Sequence, residues 1–165
     1  MLREIDQLPN GLLALESPQL EAALGGPTLV HLPGRRDPPL FVSVLMHGNE
    51  VVGWDAVRAL LSDYAGQPMP RSLSLFIGNV AAAARGVRRL EGQPDYNRVW
   101  PGTEEPGDEP EHRLMQQVVG IITALDLVRL LAAGFAANEL ALHDNGLDGD
   151  VRRWCEVFAS RLVLA

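Results

Sequence analysis

His47 and Glu50 stand three positions apart, directly after the apolar run Leu40 to Met46 (LFVSVLM). Imidazole nitrogen and carboxylate oxygen are both good zinc ligands, at ~2.0–2.2 Å. In open α/β sheets, ligands collect beyond the carboxyl ends of the strands. An imidazole and a carboxylate at such a tip can turn toward one point. H-x-x-E alone is a common pattern, and the competing assignment is a surface histidine and glutamate opening a helix. The position after LFVSVLM favours a divalent-cation site. Gly48, between the two, is expected to permit a bend that a residue with a side chain would resist.

The elements that must hold this pair follow from periodicity. LFVSVLM is nearly all apolar and rich in β-branched and aromatic residues. It reads as a strand buried on both faces. From Val51 to Ala65, Val52, Ala56, Leu60 and Leu61 fall on one helical stripe. Leu73 to Val80 (LSLFIGNV) reads as a second buried strand, and this strand–helix–strand order predicts a right-handed crossover in an α/β sheet. Thr28 to Leu32 is expected as a strand, and Pro33 to Pro39 (PGRRDPP) as a turn. Residues 1–27 read as a small leading strand or helix. Residues 81–110 hold the least regular stretch, and a loop of that length in a compact domain is usually functional or mobile. Glu111 to Leu131 has helical spacing through Leu114, Val118, Ile121, Ile122 and Leu125. Glu139 to His143 is expected as a third short strand, Val151 to Ser160 as a helix, and Arg161 to Ala165 as the start of another strand.

Composition narrows the function classes. The chain has 165 residues, 47 % apolar and 21 % charged, which suits one domain with its own core. Fourteen Lys and Arg against 21 Asp and Glu give a net charge of −7. Such a chain lacks the phosphate-neutralising surface that dominates nucleic-acid affinity, so no nucleic-acid partner is expected. Cys155 is the only cysteine, which excludes an intrachain disulfide and structural zinc held by four cysteines or by two cysteines and two histidines. No segment approaches the ~18 uninterrupted apolar residues of a membrane span. The start carries charges and a proline where a secretory signal needs an apolar run, so the expected compartment is the cytoplasm, with no membrane partner.

Three ordered segments are more specific than the metal pair alone. HGNE (47–50) follows one apolar strand, GNVAAAARGVR (78–88) the next, and DYNRVWPG (95–102) comes after. Together they resemble the succinylglutamate desuccinylase/aspartoacylase family, relatives of the zinc carboxypeptidases. The likeness covers most of residues 28 to 165, leaving 1–27 as a leading segment. The resemblance implies a three-layer α/β/α fold with a mostly parallel or mixed central sheet, zinc carboxypeptidase-like. It implies that His47 and Glu50 are the first two ligands of one zinc ion. Arg88 matches the arginine that polarises the scissile carbonyl, with Arg85 and Arg89 as its neighbours. Asn97 and Arg98 match the pair that grips a substrate carboxylate, and a guanidinium suits that role through two-pronged, charge-assisted pairing. Tyr96 stands where the family usually has Leu, and Trp100 where it usually has Phe. Both changes keep bulk and apolar character.

A catalytic zinc normally has three protein ligands and an open position. The resemblance places the third in LALHDNG (140–146), at His143, although Ala141 replaces the usual Asp. His112 and His31 are the alternatives. The family's general base is a glutamate farther along, and no segment of this sequence matches it. Glu156, on an expected helix, fits no base motif. The resulting expectation is a fold incomplete at its C-terminus and low activity for this polypeptide alone. The reading is a zinc-dependent hydrolase of N-acyl amino acids or related carboxylate-bearing amides. A weakly catalytic or inactive metal-binding domain that forms a homo-oligomer through its sheet edge is one alternative. A carboxypeptidase acting on peptides is another.

Overall fold

The computed structural model describes residues 1–36, 39–103 and 107–124. Four strands form a mixed sheet: β1 (Arg3–Ile5), β2 (Thr28–Leu32), β3 (Leu40–Val44) and β4 (Leu73–Ile77). Their spatial order is β1-β2-β4-β3. β1 runs parallel to β2, β2 antiparallel to β4, and β4 parallel to β3. The helices are α1 (Leu20–Leu24), α2 (Val52–Asp63), α3 (Val80–Ala83) and α4 (Pro110–Ala124), with two 3₁₀ turns at Leu12–Ala14 and Ser17–Gln19. This is an α/β fold, as expected. The leading segment contains both a strand and a helix.

β4 has a partner on each side, and all five of its residues are buried. Its alternation sorts the core into two clusters. Leu73, Leu75 and Ile77 join Val30 of β2 and Val44 of β3 in one. Phe76 joins Leu29 of β2 in the other. Helix α2 supplies Trp54, Ala56, Val57, Leu60 and Leu61 to the first cluster. Helix α4 supplies Leu114, Met115 and Val118 to the second. The expected apolar stripes therefore exist, although spacing alone passed over Trp54, which is fully buried.

β3 departs from expectation. Leu40 to Ser43 are only half-buried and Val44 is buried. Among the described residues β3 pairs with β4 alone. Both strands are also shorter than their apolar runs. β3 stops at Val44, short of Met46, and β4 stops at Ile77, after which Asn79 caps α3 through its side chain. No helix among the described residues is long and apolar enough to cross a membrane. The expected elements at 139–143, 151–160 and 161–165 lie outside the described residues.

Trp54 ties the leading segment to α2. Its indole Nε1 donates to the Leu15 carbonyl at 2.9 Å, and Arg58 Nη1 donates to the same oxygen at 3.3 Å. Trp54→Phe keeps a ring but loses the better of these two bonds. The expected loss is about 1–3 kcal/mol of folding stability, read by urea denaturation.

Candidate active site

The site begins where β3 and β4 end side by side. Val44 lies opposite Ile77 in parallel register. Beyond them, Gly78 N donates to Val44 O at 3.0 Å and Asn79 N to Leu45 O at 2.7 Å. Asn79 is buried, and its Oδ1 accepts from Ala82 N at 3.2 Å to start α3. The two chain segments thus leave the sheet together. The His47–Glu50 turn closes with Glu50 N donating to His47 O at 3.1 Å. It is fastened to the second segment by Gly48 N donating to Arg88 O at 3.0 Å.

Gly48 is needed for a different reason from the one expected. Its φ lies outside the left-handed region. A Cβ built there would overlap the backbone of Ala82 and Ala83 and press on the Val87 carbonyl. The glycine permits close backbone approach, and the left-handed residue is Leu45, two positions before the turn.

Four charged or chargeable groups meet here. His47 is 3 % exposed. Its Nδ1 lies 2.7 Å from Glu50 Oε1, and its Nε2 lies 2.8 Å from Asp95 Oδ1. Asp95 Oδ1 also accepts from Asn97 N at 2.9 Å. Asp95 Oδ2 accepts from Arg88 Nη2 at 3.1 Å, while Arg88 Nη1 stands 3.8 Å from Glu50 Oε1. Burial of Asp95 works to raise its pKa. The Asn97 N–H bond, with His47 and Arg88, outweighs that and holds the carboxyl down at about 2.

The donor chemistry at His47 suits a cation. A neutral imidazole carries one N–H. With that proton on Nε2 toward Asp95, Nδ1 turns a lone pair toward the Glu50 oxygen. Two lone pairs at that separation require a positive charge between them, either a proton or a metal ion. Asp95 backs the far side of the ring, so it orients His47 and does not share the face on which Nδ1 and Glu50 meet. Accordingly, no group of three or more His, Cys, Asp or Glu side chains among the described residues could hold a metal ion.

The remaining expected residues fall as follows. Arg88 joins the cluster, and Asn97 touches it through its backbone N–H. Arg98 is exposed, and its guanidinium makes no ion pair among the described residues. His143 lies outside the described residues. His31 sits on β2 with Nδ1 2.9 Å from Ser74 Oγ and Nε2 3.0 Å from Glu4 Oε1, a link across three strands. His112 is buried on α4, with Nδ1 2.8 Å from Glu109 Oε2. Neither histidine contacts His47.

Sequence reasoning passed over Asp95 and Gln93. Asp95 was legible in principle, since it opens the DYNR segment and histidine ligands commonly give their second nitrogen to a carboxylate. Gln93 had no such signal. Its Oε1 accepts from Asn79 Nδ2 at 2.7 Å and Leu90 N at 3.2 Å, and its Nε2 donates to Glu111 Oε1 at 3.3 Å. Beside it, the buried Tyr96 hydroxyl is pushed up to about 12, by burial first and then by the charge of Glu111.

Asp95 gives a pH test with a definite sign. Its folded-state pKa lies below the ordinary 3.8, so folding favours the ionised form. The stabilisation is complete above the ordinary value and is lost as pH falls through about 2. Denaturation curves taken with a chelator present should show this acid-side loss in the wild type. Asp95→Asn should lower stability at neutral pH and flatten the acid limb. An unchanged limb in that variant counts against the assignment.

The description "Succinylglutamate desuccinylase/Aspartoacylase catalytic domain" belongs to the family model that matches residues 37–129. No curated protein and no solved structure matches. The matched stretch is more than half of the chain and carries both strand ends, the HGNE turn and the loop with Arg88 and Asp95. On that ground the chain belongs to the succinylglutamate desuccinylase/aspartoacylase family of hydrolases.

Proposed function

We propose that this chain is a zinc-dependent deacylase acting on N-acyl amino acids or related small, carboxylate-bearing amides, on a three-layer carboxypeptidase-like fold. The observation that carries this reading is the pairing of His47 Nδ1 with Glu50 Oε1 at 2.7 Å while Asp95 holds the opposite ring nitrogen. That arrangement is what a histidine ligand requires, with its tautomer set from behind and its free lone pair facing a second donor. His47 and Glu50 would hold the ion, with His143 as the third ligand. When bound there, the ion would supply Lewis acidity, polarising the amide carbonyl and lowering the pKa of water so that hydroxide is available near neutral pH.

The protein's own groups do the rest. Asp95 keeps the proton on His47 Nε2. Arg88, held beside Glu50 and Asp95, faces the place where negative charge develops on the carbonyl oxygen. Arg98, whose guanidinium has no ion-pair partner among the described residues, takes the substrate carboxylate together with Asn97. Proton delivery to the leaving amine falls to a carboxylate outside these residues.

Metal analysis of the purified chain should find about one zinc per polypeptide, the complement of a mononuclear hydrolase site. His47→Ala and His143→Ala should each lose it. Retention in the His143 variant would move the third ligand to His112 or His31. With zinc bound, N-acetylaspartate, N-succinylglutamate and short peptides assayed side by side separate the deacylase from a peptidase. A wild-type chain that takes up no metal ends the proposal.

A further inference from the structure

Leu45 is the only non-glycine residue with positive φ among the described residues, at 56°. A left-handed backbone brings Cβ against the following carbonyl and costs free energy in every residue but glycine. Such strain persists only where the surroundings over-determine it, and it gathers at functional sites. Two contacts hold Leu45 in place. Its side chain is 2 % exposed within the first hydrophobic cluster. Its carbonyl accepts from Asn79 N at 2.7 Å.

The consequence is a shift of phase along the chain. Side chains in a strand alternate between faces. Val44 enters the first cluster, so a continued strand would send Leu45 to the second and Met46 back to the first. Instead Leu45 enters the first cluster with Val44, and Met46 enters the second. The left-handed residue has exchanged the faces that Leu45 and Met46 would take in a continued strand. His47 is the next residue but one, and its ring lies between Glu50 and Asp95.

We infer that Leu45 is a positioning residue for the metal pair, its strained backbone setting the direction in which His47 and Glu50 face. This rests on the metal-site reading above. The experiment uses the full chain and two substitutions of similar volume. Leu45→Met keeps an unbranched Cβ, which tolerates the left-handed region as Leu does. Leu45→Ile places a β-branched residue where φ above zero is a true outlier. Zinc affinity is measured by competition with a chromophoric chelator, and folding is followed by circular dichroism and thermal unfolding.

Leu45→Met should bind zinc within about threefold of wild type. Leu45→Ile, folded, should bind at least about tenfold more weakly, the effect expected when a ligand loses its orientation. Its cobalt-loaded visible spectrum should also differ from that of the wild type. A residue serving only the core would lower the melting temperature in Leu45→Ile and leave the affinity of the folded protein unchanged, and that result overturns the inference. If Leu45→Ile does not fold, Leu45→Ala and Leu45→Gly leave matching cavities and differ only in backbone freedom. Tighter zinc binding by the glycine variant, which adopts positive φ without the penalty alanine carries, then supports the inference, and equal or weaker binding overturns it. A wild-type chain that binds no zinc removes the metal reading and this inference together, whereas equal affinities beside a zinc-binding wild type remove this inference alone.

Discussion

The parallel register of β3 and β4 governs the site. With Val44 opposite Ile77, both strands release the chain at the same height. The backbone bonds from Gly78 to Val44 and from Asn79 to Leu45 continue the pairing for two further residues, after the strand conformation has ended. One segment then presents His47 and Glu50. The other starts α3 and returns through Arg88, whose carbonyl binds Gly48 N. A different register would carry these segments apart, and no local adjustment of side chains would restore the meeting of His47 and Asp95. The site is therefore a property of strand pairing first and of side-chain chemistry second.

Charge is handled economically within this frame. The chain is acidic overall, yet the cluster sets one arginine and one histidine against two carboxylates. Exposed ion pairs contribute little to stability, and the 3.8 Å approach of Arg88 to Glu50 belongs in that class because both side chains are 55 % exposed. Asp95 is different. It is 15 % exposed, and hydrogen bonds occupy both of its oxygens. Its ionised form is consequently held by directed bonds, which screening by salt weakens far less than it weakens a surface pair.

Much of this was legible in the residues. LFVSVLM and LSLFIGNV announced two strands because continuous apolar runs rich in β-branched and aromatic residues suit a sheet core, and the spacing after HGNE announced the helix because burial of one helix face imposes a period. The closeness of His47 and Glu50 was legible because they stand three positions apart just beyond a strand. What escaped notice depends on groups that periodicity does not describe. Leu45 and Met46 look like strand residues, and nothing in their types records a left-handed turn. Gly48 looks like a flexible hinge, whereas its role is to let two backbones touch. Gln93 sits in an irregular stretch, and its partners are one neighbour in its own loop, Leu90, and two residues from other elements, Asn79 and Glu111.

That amide also joins the site to a place far from any reacting atom. Gln93 takes hydrogen bonds from Asn79 at the start of α3 and from Leu90 in its own loop, and gives one to Glu111 on α4. The loop that carries Arg88 and Asp95 is thereby braced against α4. Helix α4 therefore meets this loop twice, through Gln93 at its first turn and through the packing of Tyr96 and Val99 with Leu114, Met115 and Val118 farther along.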